Sequence, residues 1–246
     1  MPALNPAEYD RMYALEDGYW WFVGRRQLAL GLLGRFAAPQ TELLDLGCGT
    51  GVVMQHAASN FRVSGLDMSE QALRYSASRG MKNLVQADGT KLPFGEGQFG
   101  AVIALDIFEH IDQDEVAFAE TFRCLKPGGV LVLSVPAYPM LWGPHDVALH
   151  HFRRYRRAEL AGKLRAAGFE VPVLSFAVFW LFPLVLLSRL LDKLRSGKAE
   201  ARLPSVPGWL NAALARLQGI EGRLIFGAGV RYPWGSSLVA VARKPR

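Results

Sequence analysis

The chain has 246 residues, half of them apolar, and a net charge of +6. Its length accommodates one large α/β domain with an insertion, or two small domains, and its two cysteines, Cys48 and Cys124, exclude a disulfide framework and fit a reducing compartment. The charge is divided, with 11 basic against 17 acidic side chains in residues 1–150 and 17 against 5 in residues 151–246. A basic C-terminal half can meet nucleic acid, an anionic membrane or an anionic substrate. The N-terminus has no basic-then-apolar leader pattern.

Residues 6–36 read as helical, with Tyr9, Tyr13, Trp20, Trp21 and Phe22 interleaved with charges. From there strands and helices alternate. Strands are expected at Glu42–Leu46, 62–66, 83–87, 101–105 and 130–135, and helices at 52–58, 69–78 and 115–125. Ser69 is placed to cap the second of these helices. Lys126-Pro127-Gly128-Gly129 ends the third and turns into the fifth strand. This alternation implies a mainly parallel sheet with helices on both faces. Further on, a helix over 157–167 stops at Gly168, residues 170–175 form a sixth strand and Ser237–Arg243 a seventh.

The first strand runs into Asp45-Leu46-Gly47-Cys48-Gly49-Thr50-Gly51. Glycine allows a sharp turn and a close approach of backbone to ligand. A dinucleotide loop has G-x-G-x-x-G, whereas this spacing is G-x-G-x-G. Asp67 closes the second strand, where a carboxylate can take both ribose hydroxyls, and Asp88 closes the third, ahead of Leu92-Pro93-Phe94. With Phe99 to Ala104 as the fourth strand and Leu125 to Leu131 leading to the fifth, the set resembles the class I S-adenosylmethionine-dependent methyltransferases.

The resemblance implies a Rossmann-like, doubly wound α/β fold, with a mainly parallel seven-stranded sheet whose last strand is antiparallel. The expected division is an N-terminal helical cap (1–40), a core (41–175 and 236–246) and an apolar helical insertion (176–235). It also implies S-adenosylmethionine as cofactor. Asp45, Gly47 and Gly49 would face its methionine end, with Cys48, Gly51 and Asp106 in the same set of contacts. Asp67 would take the ribose and Met68 the adenine face. Asp88 would bond the adenine amine, with Gly89 beside it. Cys48 reads as a small loop filler rather than a nucleophile.

Methyl transfer is an in-line displacement on an activated donor, so alignment supplies much of the rate. An oxygen acceptor also needs a base. Asp106-Ile107-Phe108-Glu109-His110 follows the fourth strand and overhangs the cleft. It is similar to the E-x-x-E-H segment of ubiquinone-pathway O-methyltransferases, which is implicated there in divalent-metal binding. Here the first acid is Asp, and no metal is assigned. His110 is a catalytic candidate and Glu109 an acceptor contact, or both only organise the loop.

The second candidate segment is Trp142-Gly143-Pro144-His145-Asp146, with His150-His151 and Arg153-Arg154-Tyr155. His145 or His150 can serve as the base, and Asp146 can orient one of them. Arg154 can hold a phosphate or carboxylate, with Trp142 and Tyr155 as further acceptor contacts. The alternative is a lid packed by Trp142 and Tyr155. The W-x-x-H-D…H-x-R-R-Y pattern and the aromatic run at Trp20-Trp21 are similar to a bacterial subgroup with members in lipid, quinone and surface-glycan pathways. Trp20 and Trp21 would close over the cofactor or wall an apolar acceptor.

Residues 171–188 carry no charge, and basic residues flank them, including Lys163 and Arg165 before and Arg189, Lys193, Arg195 and Lys198 after. A single crossing conflicts with the return of the seventh strand to the same sheet, so a monotopic, surface-lying insertion is expected. The resulting expectation is a cytoplasmic enzyme, peripheral on the inner membrane face. It would methylate a hydrophobic or lipid-linked acceptor, most simply on oxygen. A methyltransferase of a small soluble phenol or acid, and a non-catalytic cofactor-binding module with a membrane-contacting half, are the alternatives. No nucleic-acid partner is expected, because a reader motif is missing.

Overall fold

A computed structural model describes residues 5–194 and 204–246. Arg195 and Lys198, expected to flank the apolar run, lie outside the described residues, as does the side chain of Lys193. The seven strands are β1 (Glu42–Leu46), β2 (Arg62–Asp67), β3 (Leu84–Gln86), β4 (Phe99–Leu105), β5 (Leu125–Pro136), β6 (Glu170–Ala177) and β7 (Ser237–Arg243). They form one sheet in the order β3-β2-β1-β4-β5-β7-β6. The pairs among β1 to β5 are parallel, and β7 runs antiparallel to both β5 and β6. The expected doubly wound sheet with an antiparallel last strand is therefore present.

Leu43, Leu44, Val102, Ile103, Leu131, Val132, Ala240 and Val241 are fully buried. Strands covered on both faces need apolar residues at every position, which explains why these read as continuous apolar runs rather than alternating ones. Strand order reverses between β1 and β4, so the loops leaving their carboxyl ends diverge and open a crevice.

The helices are α1 (Pro6–Leu15), α2 (Trp20–Phe36), α3 (Val52–Ala57), α4 (Glu70–Ser78), α5 (Asp114–Cys124), α6 (Pro144–Ala148), α7 (Arg157–Ala166), α8 (Phe182–Leu194) and α9 (Gly208–Phe226). Ser69 caps α4, its Oγ accepting the Ala72 N–H at 3.3 Å. The helical stretch over 6–36 is two helices, separated at Asp17-Gly18. Tertiary bonds hold the break: Arg26 Nη1 donates to the Glu16 carbonyl at 2.8 Å and Asn211 Nδ2 to that of Gly18 at 2.8 Å. The Lys126-Pro127-Gly128-Gly129 turn is absorbed into β5 as an irregular entry. Gly128 N–H bonds the Lys244 carbonyl and Lys244 N–H that of Gly129, both at 2.9 Å.

Helices α2 and α9 pack together. On α9, Glu221 is buried, and its carboxylate accepts the N–H groups of Val178 and Phe179 at 2.5 and 2.9 Å. These bonds hold the bend between β6 and α8, where Val178 has φ 61°. That is a left-handed conformation costly for a β-branched residue. No described helix is long and apolar enough to cross a membrane.

Candidate active site

One cavity of about 1060 Å³ opens over the carboxyl ends of β1, β2 and β4. This is at the top of the usual range for a ligand cleft. At one end it is lined by Gly47, Gly49, Asp67, Met68, Ala87 and Gly89, with Tyr9 and Met12 of α1 beside them. At the other lie Glu109, His110, His145, His151 and Arg154, with Leu181, Leu184 and Val185 at the start of α8.

Gly47, Gly49 and Gly51 all have positive φ, at 73°, 54° and 85°. A Cβ on Gly51 would stand 2.9 Å from the Ser76 Cα, so only glycine lets this loop close on α4. Asp67 Oδ2 accepts the Gly49 N–H at 2.9 Å and Oδ1 the Ser69 N–H at 2.8 Å. Each oxygen retains a lone pair for a ligand hydroxyl.

Asp45 is buried beneath the loop, and its Oδ2 has no hydrogen-bond partner. Burial first, then the Asp67 charge, pushes its carboxyl up to about 8. A buried, orphaned acceptor beside a glycine cradle and a ribose-type carboxylate fits the cationic amino-acid end and the ribose of S-adenosylmethionine. Cys48 is buried against Ser76, and burial pushes its thiol up, which matches a loop filler. Asp88 accepts both N–H and O–H of Thr90 on Oδ1, and the cavity is lined by its neighbours Ala87 and Gly89 rather than by Asp88 itself.

Three residues not assigned from sequence support the loop. Thr50 Oγ1 donates to Glu16, which Arg79 also pairs at 2.8 Å, while Arg79 Nε donates to the Thr50 carbonyl at 3.0 Å. Arg25 of α2 enters the cavity and pairs with Asp106. Burial lowers the Arg25 guanidinium only to about 10, so it remains charged at neutral pH. The pairs Glu16–Thr50 and Arg25–Asp106 span wide sequence separations, which local pattern does not reveal.

Beside the histidines of the cavity wall, Asp146 is fully buried. Its Oδ1 accepts from His151 Nδ1 at 2.9 Å and Arg154 Nε at 2.8 Å, and its Oδ2 from the Gly143 N–H at 2.9 Å. Burial opposes ionisation, but the His151 hydrogen bond and the Arg154 charge overcome it and hold Asp146 at about 2. An ionised carboxylate can only accept, so His151 presents an Nδ1–H to Asp146.

Sequence reading expected this histidine to be His145 or His150. The structure corrects it to His151. Helix α6 ends in a Schellman motif: His150 N–H bonds the Val147 carbonyl at 3.1 Å, His151 N–H that of Asp146 at 2.9 Å, and His150 takes φ 56°. This folds His151 back over Asp146 and leaves His150 exposed and off the cavity. His145 lines the cavity, but burial first and then Arg189 lower it to about 4. His110, edge-on to His151 at 4.6 Å, is lowered to about 3 by burial and the charges of His151 and His150. Groups this weakly basic accept protons poorly near neutrality.

Two further expected acceptor contacts lie elsewhere. Tyr155 is fully buried in the core, donating its hydroxyl to Asp114 at 2.7 Å. Its backbone bridges Pro136 and Tyr138, which fixes the side chain away from the cleft. Trp142, at the end of a 3₁₀ turn over Pro139–Leu141, does not line the cavity. Trp20 and Trp21 do, and the buried Trp20 Nε1 has no partner.

Among the described residues, Glu109, His110 and His151 have donor atoms within 4.8 Å of one another. Asp106, the first acid of the resembling metal segment, is spent on Ser134 at 2.8 Å and on Arg25. His151 Nδ1 is held by Asp146, and the charges of Arg25 and Arg154 act on Glu109. Cations already surround the set, so it does not fit a divalent metal, and no step is assigned to one. Glu109 itself is fully buried with both oxygens unpartnered, and burial pushes it up to about 8.

Residues 44–133 match the family model described as Methyltransferase domain. A probable S-adenosylmethionine-dependent methyltransferase of Mycolicibacterium smegmatis is 29% identical over 70% of this chain and 68% of its own length. A ubiquinone biosynthesis O-methyltransferase of Xanthomonas oryzae pv. oryzae is 27% identical, over 70% and 84%. The chain is a class I S-adenosylmethionine-dependent methyltransferase. Its fold agrees with a Thermotoga maritima SAM-dependent methyltransferase at TM-score 0.62, with 19% identity and 97% and 95% of the two chains covered. It also agrees with the phosphoethanolamine N-methyltransferase 2 of Haemonchus contortus, solved with S-adenosyl-L-methionine, at TM-score 0.59, with 18% identity and 89% and 52% covered. This methyltransferase thus has its glycine loop and its histidine cluster on the wall of one cavity.

Proposed function

We propose that the enzyme methylates a hydroxyl on a hydrophobic or lipid-linked acceptor, working as a peripheral protein at the cytoplasmic membrane face. The observation that carries this reading is the Asp146–His151 pair on the wall of the cavity that also holds Asp67 and Gly49. An oxygen nucleophile must lose its proton, and an imidazole oriented by a buried carboxylate is suited to take it at Nε2. Bound S-adenosylmethionine supplies a methyl group on a cationic sulfur, which needs no further activation.

The chain's own residues divide the remaining tasks. Gly47, Gly49 and Asp67 hold the donor's polar parts, Asp45 its amino group and Arg25 its carboxylate. Leu181, Leu184 and Val185 exclude water and admit an apolar acceptor. Leu184, Leu187 and Trp209 are 65%, 54% and 74% exposed, and apolar surface of this kind near a cavity mouth suits a bilayer partner. The likeness to a ubiquinone biosynthesis O-methyltransferase favours oxygen as the methylated atom.

The test is mass spectrometry of a membrane lipid extract incubated with the enzyme and deuteriomethyl donor. A labelled lipid bearing a new methyl ether or ester is the expected product. Label found only in water-soluble phenols or acids would replace this reading with a soluble acceptor.

A further inference from the structure

We propose that Glu109 is a hydrogen-bond donor to the acceptor oxygen, stabilising the negative charge that forms there as its proton leaves. This rests on the hydroxyl-methylation reading and adds a second catalytic residue to it. Glu109 sits in a 3₁₀ turn, Phe108–His110, between β4 and α5. Phe108 anchors the turn by stacking on Phe118, with ring centroids 4.0 Å apart. The Glu109 carbonyl accepts the Phe152 N–H at 2.7 Å, so the backbone ties the loop to the segment after α6. The side chain takes no part in that tie. It lines the cavity, fully buried, and neither oxygen has a hydrogen-bond partner. A buried carboxyl left unpartnered costs stability, whereas an apolar side chain of the same shape would fill the space without that cost. Such a group is explained when a ligand completes it.

Ring nitrogens of His110 and His151 lie within 4.8 Å of a Glu109 oxygen. One hydroxyl oxygen can span such a separation, at hydrogen-bond length from Glu109 and from His151 together. Besides these histidines, the groups facing Glu109 are Arg25 of α2, Asp146 of α6, Arg154 and the Tyr155 hydroxyl. Burial is the largest influence and raises its carboxyl to about 8, with Asp146 adding to the rise and its own N–H, Arg25 and Arg154 opposing it. Near neutrality it therefore carries a proton to donate, and its own charge does not oppose the forming oxyanion. In the step itself the acceptor O–H proton passes to His151, an oxygen lone pair bonds the methyl carbon, and the C–S bond breaks with its electrons left on sulfur. S-Adenosylhomocysteine and the methylated oxygen result, and Glu109 keeps its proton throughout. A donor fixed in a dry wall before the reaction needs no reorganisation when charge develops.

The experiment titrates the full chain, saturated with S-adenosylhomocysteine, with 4-nitrophenol, whose phenol and phenolate forms have separate absorption bands. The probe is expected to bind and to ionise at lower pH when bound than when free. Glu109→Leu should weaken ionisation of the bound probe about tenfold, and Glu109→Gln, which keeps an N–H donor, should recover most of that loss. From about pH 7 to 9, wild-type affinity relative to Glu109→Gln should fall about threefold or more, because the carboxyl loses its proton there and the amide does not. S-Adenosylhomocysteine affinity within about threefold of wild type shows that each variant is folded. Where Glu109→Leu does not fold, the pH dependence of the ratio to Glu109→Gln decides alone. Failure of the probe to bind, ionisation unchanged in a folded Glu109→Leu, or a ratio constant across that pH range overturns the proposal. His151→Gln tests the base separately: a bound probe that still ionises in that variant but not in Glu109→Leu removes His151 and upholds Glu109.

Discussion

His151 Nδ1 lies 2.9 Å from Asp146 Oδ1, and the same carboxylate oxygen receives Arg154 Nε at 2.8 Å. One buried carboxylate thus orients both an imidazole and a guanidinium toward one cavity. If that imidazole removes the acceptor proton, as proposed, His151→Gln should lower kcat/KM by about 10²–10⁴. S-adenosylhomocysteine affinity should stay within about threefold. Steady-state kinetics across pH give the decisive reading, because a merely structural His151 would leave the shape of the profile unchanged.

If Asp45 meets the donor's ammonium, as proposed, donor binding depends on pH. Burial and the Asp67 charge raise its carboxyl to about 8, so it is largely protonated in the free enzyme near neutrality. A ligand ammonium favours the carboxylate, and below pH 8 binding must first expel the proton. S-adenosylhomocysteine should therefore bind more tightly as pH rises from 6.5 to 8, with proton release into the buffer. Asp45→Asn should flatten the trend. Calorimetry in two buffers of different ionisation enthalpy measures both effects.

His150 occupies the left-handed position of a Schellman motif and stands outside the cavity. Glycine is relaxed there, whereas a side chain costs about 1 kcal/mol. His150→Gly should retain turnover and unfold at equal or higher urea concentration. A large loss of kcat would restore His150 as a catalytic candidate.

Glu221 satisfies two N–H groups at the Val178 bend, and burial raises its carboxyl against those bonds. Glu221→Ala leaves both groups unpaired and should destabilise the fold by about 2–3 kcal/mol, read from urea unfolding. Glu221→Gln, which keeps an acceptor oxygen, should recover part of that loss.

Wild-type enzyme should float with anionic vesicles and less so as salt is raised. Leu184→Glu with Leu187→Glu places two charges on the exposed apolar face of α8 and should leave the protein unfloated. Sedimentation of the wild type away from vesicles would remove the membrane from the proposed function.

Most of the sheet and the glycine loop were legible in the chain itself. A strand, the glycines that follow it and the aspartate at the next strand end are each short local patterns, and parallel β-α units repeat them in register. The break at Gly18 and the early start of β5 were not, because both are held by long-range bonds, to Asn211 and to Lys244.

By itself, the sequence determined the doubly wound sheet, the glycine loop at Gly47–Gly51, the Asp45 and Asp67 positions and the segments that overhang the cleft. Only the tertiary structure decided which histidine meets Asp146, that Tyr155 belongs to the core, and that Arg25 pairs Asp106 inside the cavity. The physical reason is range. Hydrophobic period and glycine spacing act over a few residues, whereas the histidine end of the cavity is assembled from α2, the β4–α5 loop, α6 and α8. The direction of the His151 side chain was set by the left-handed turn at His150 that ends α6.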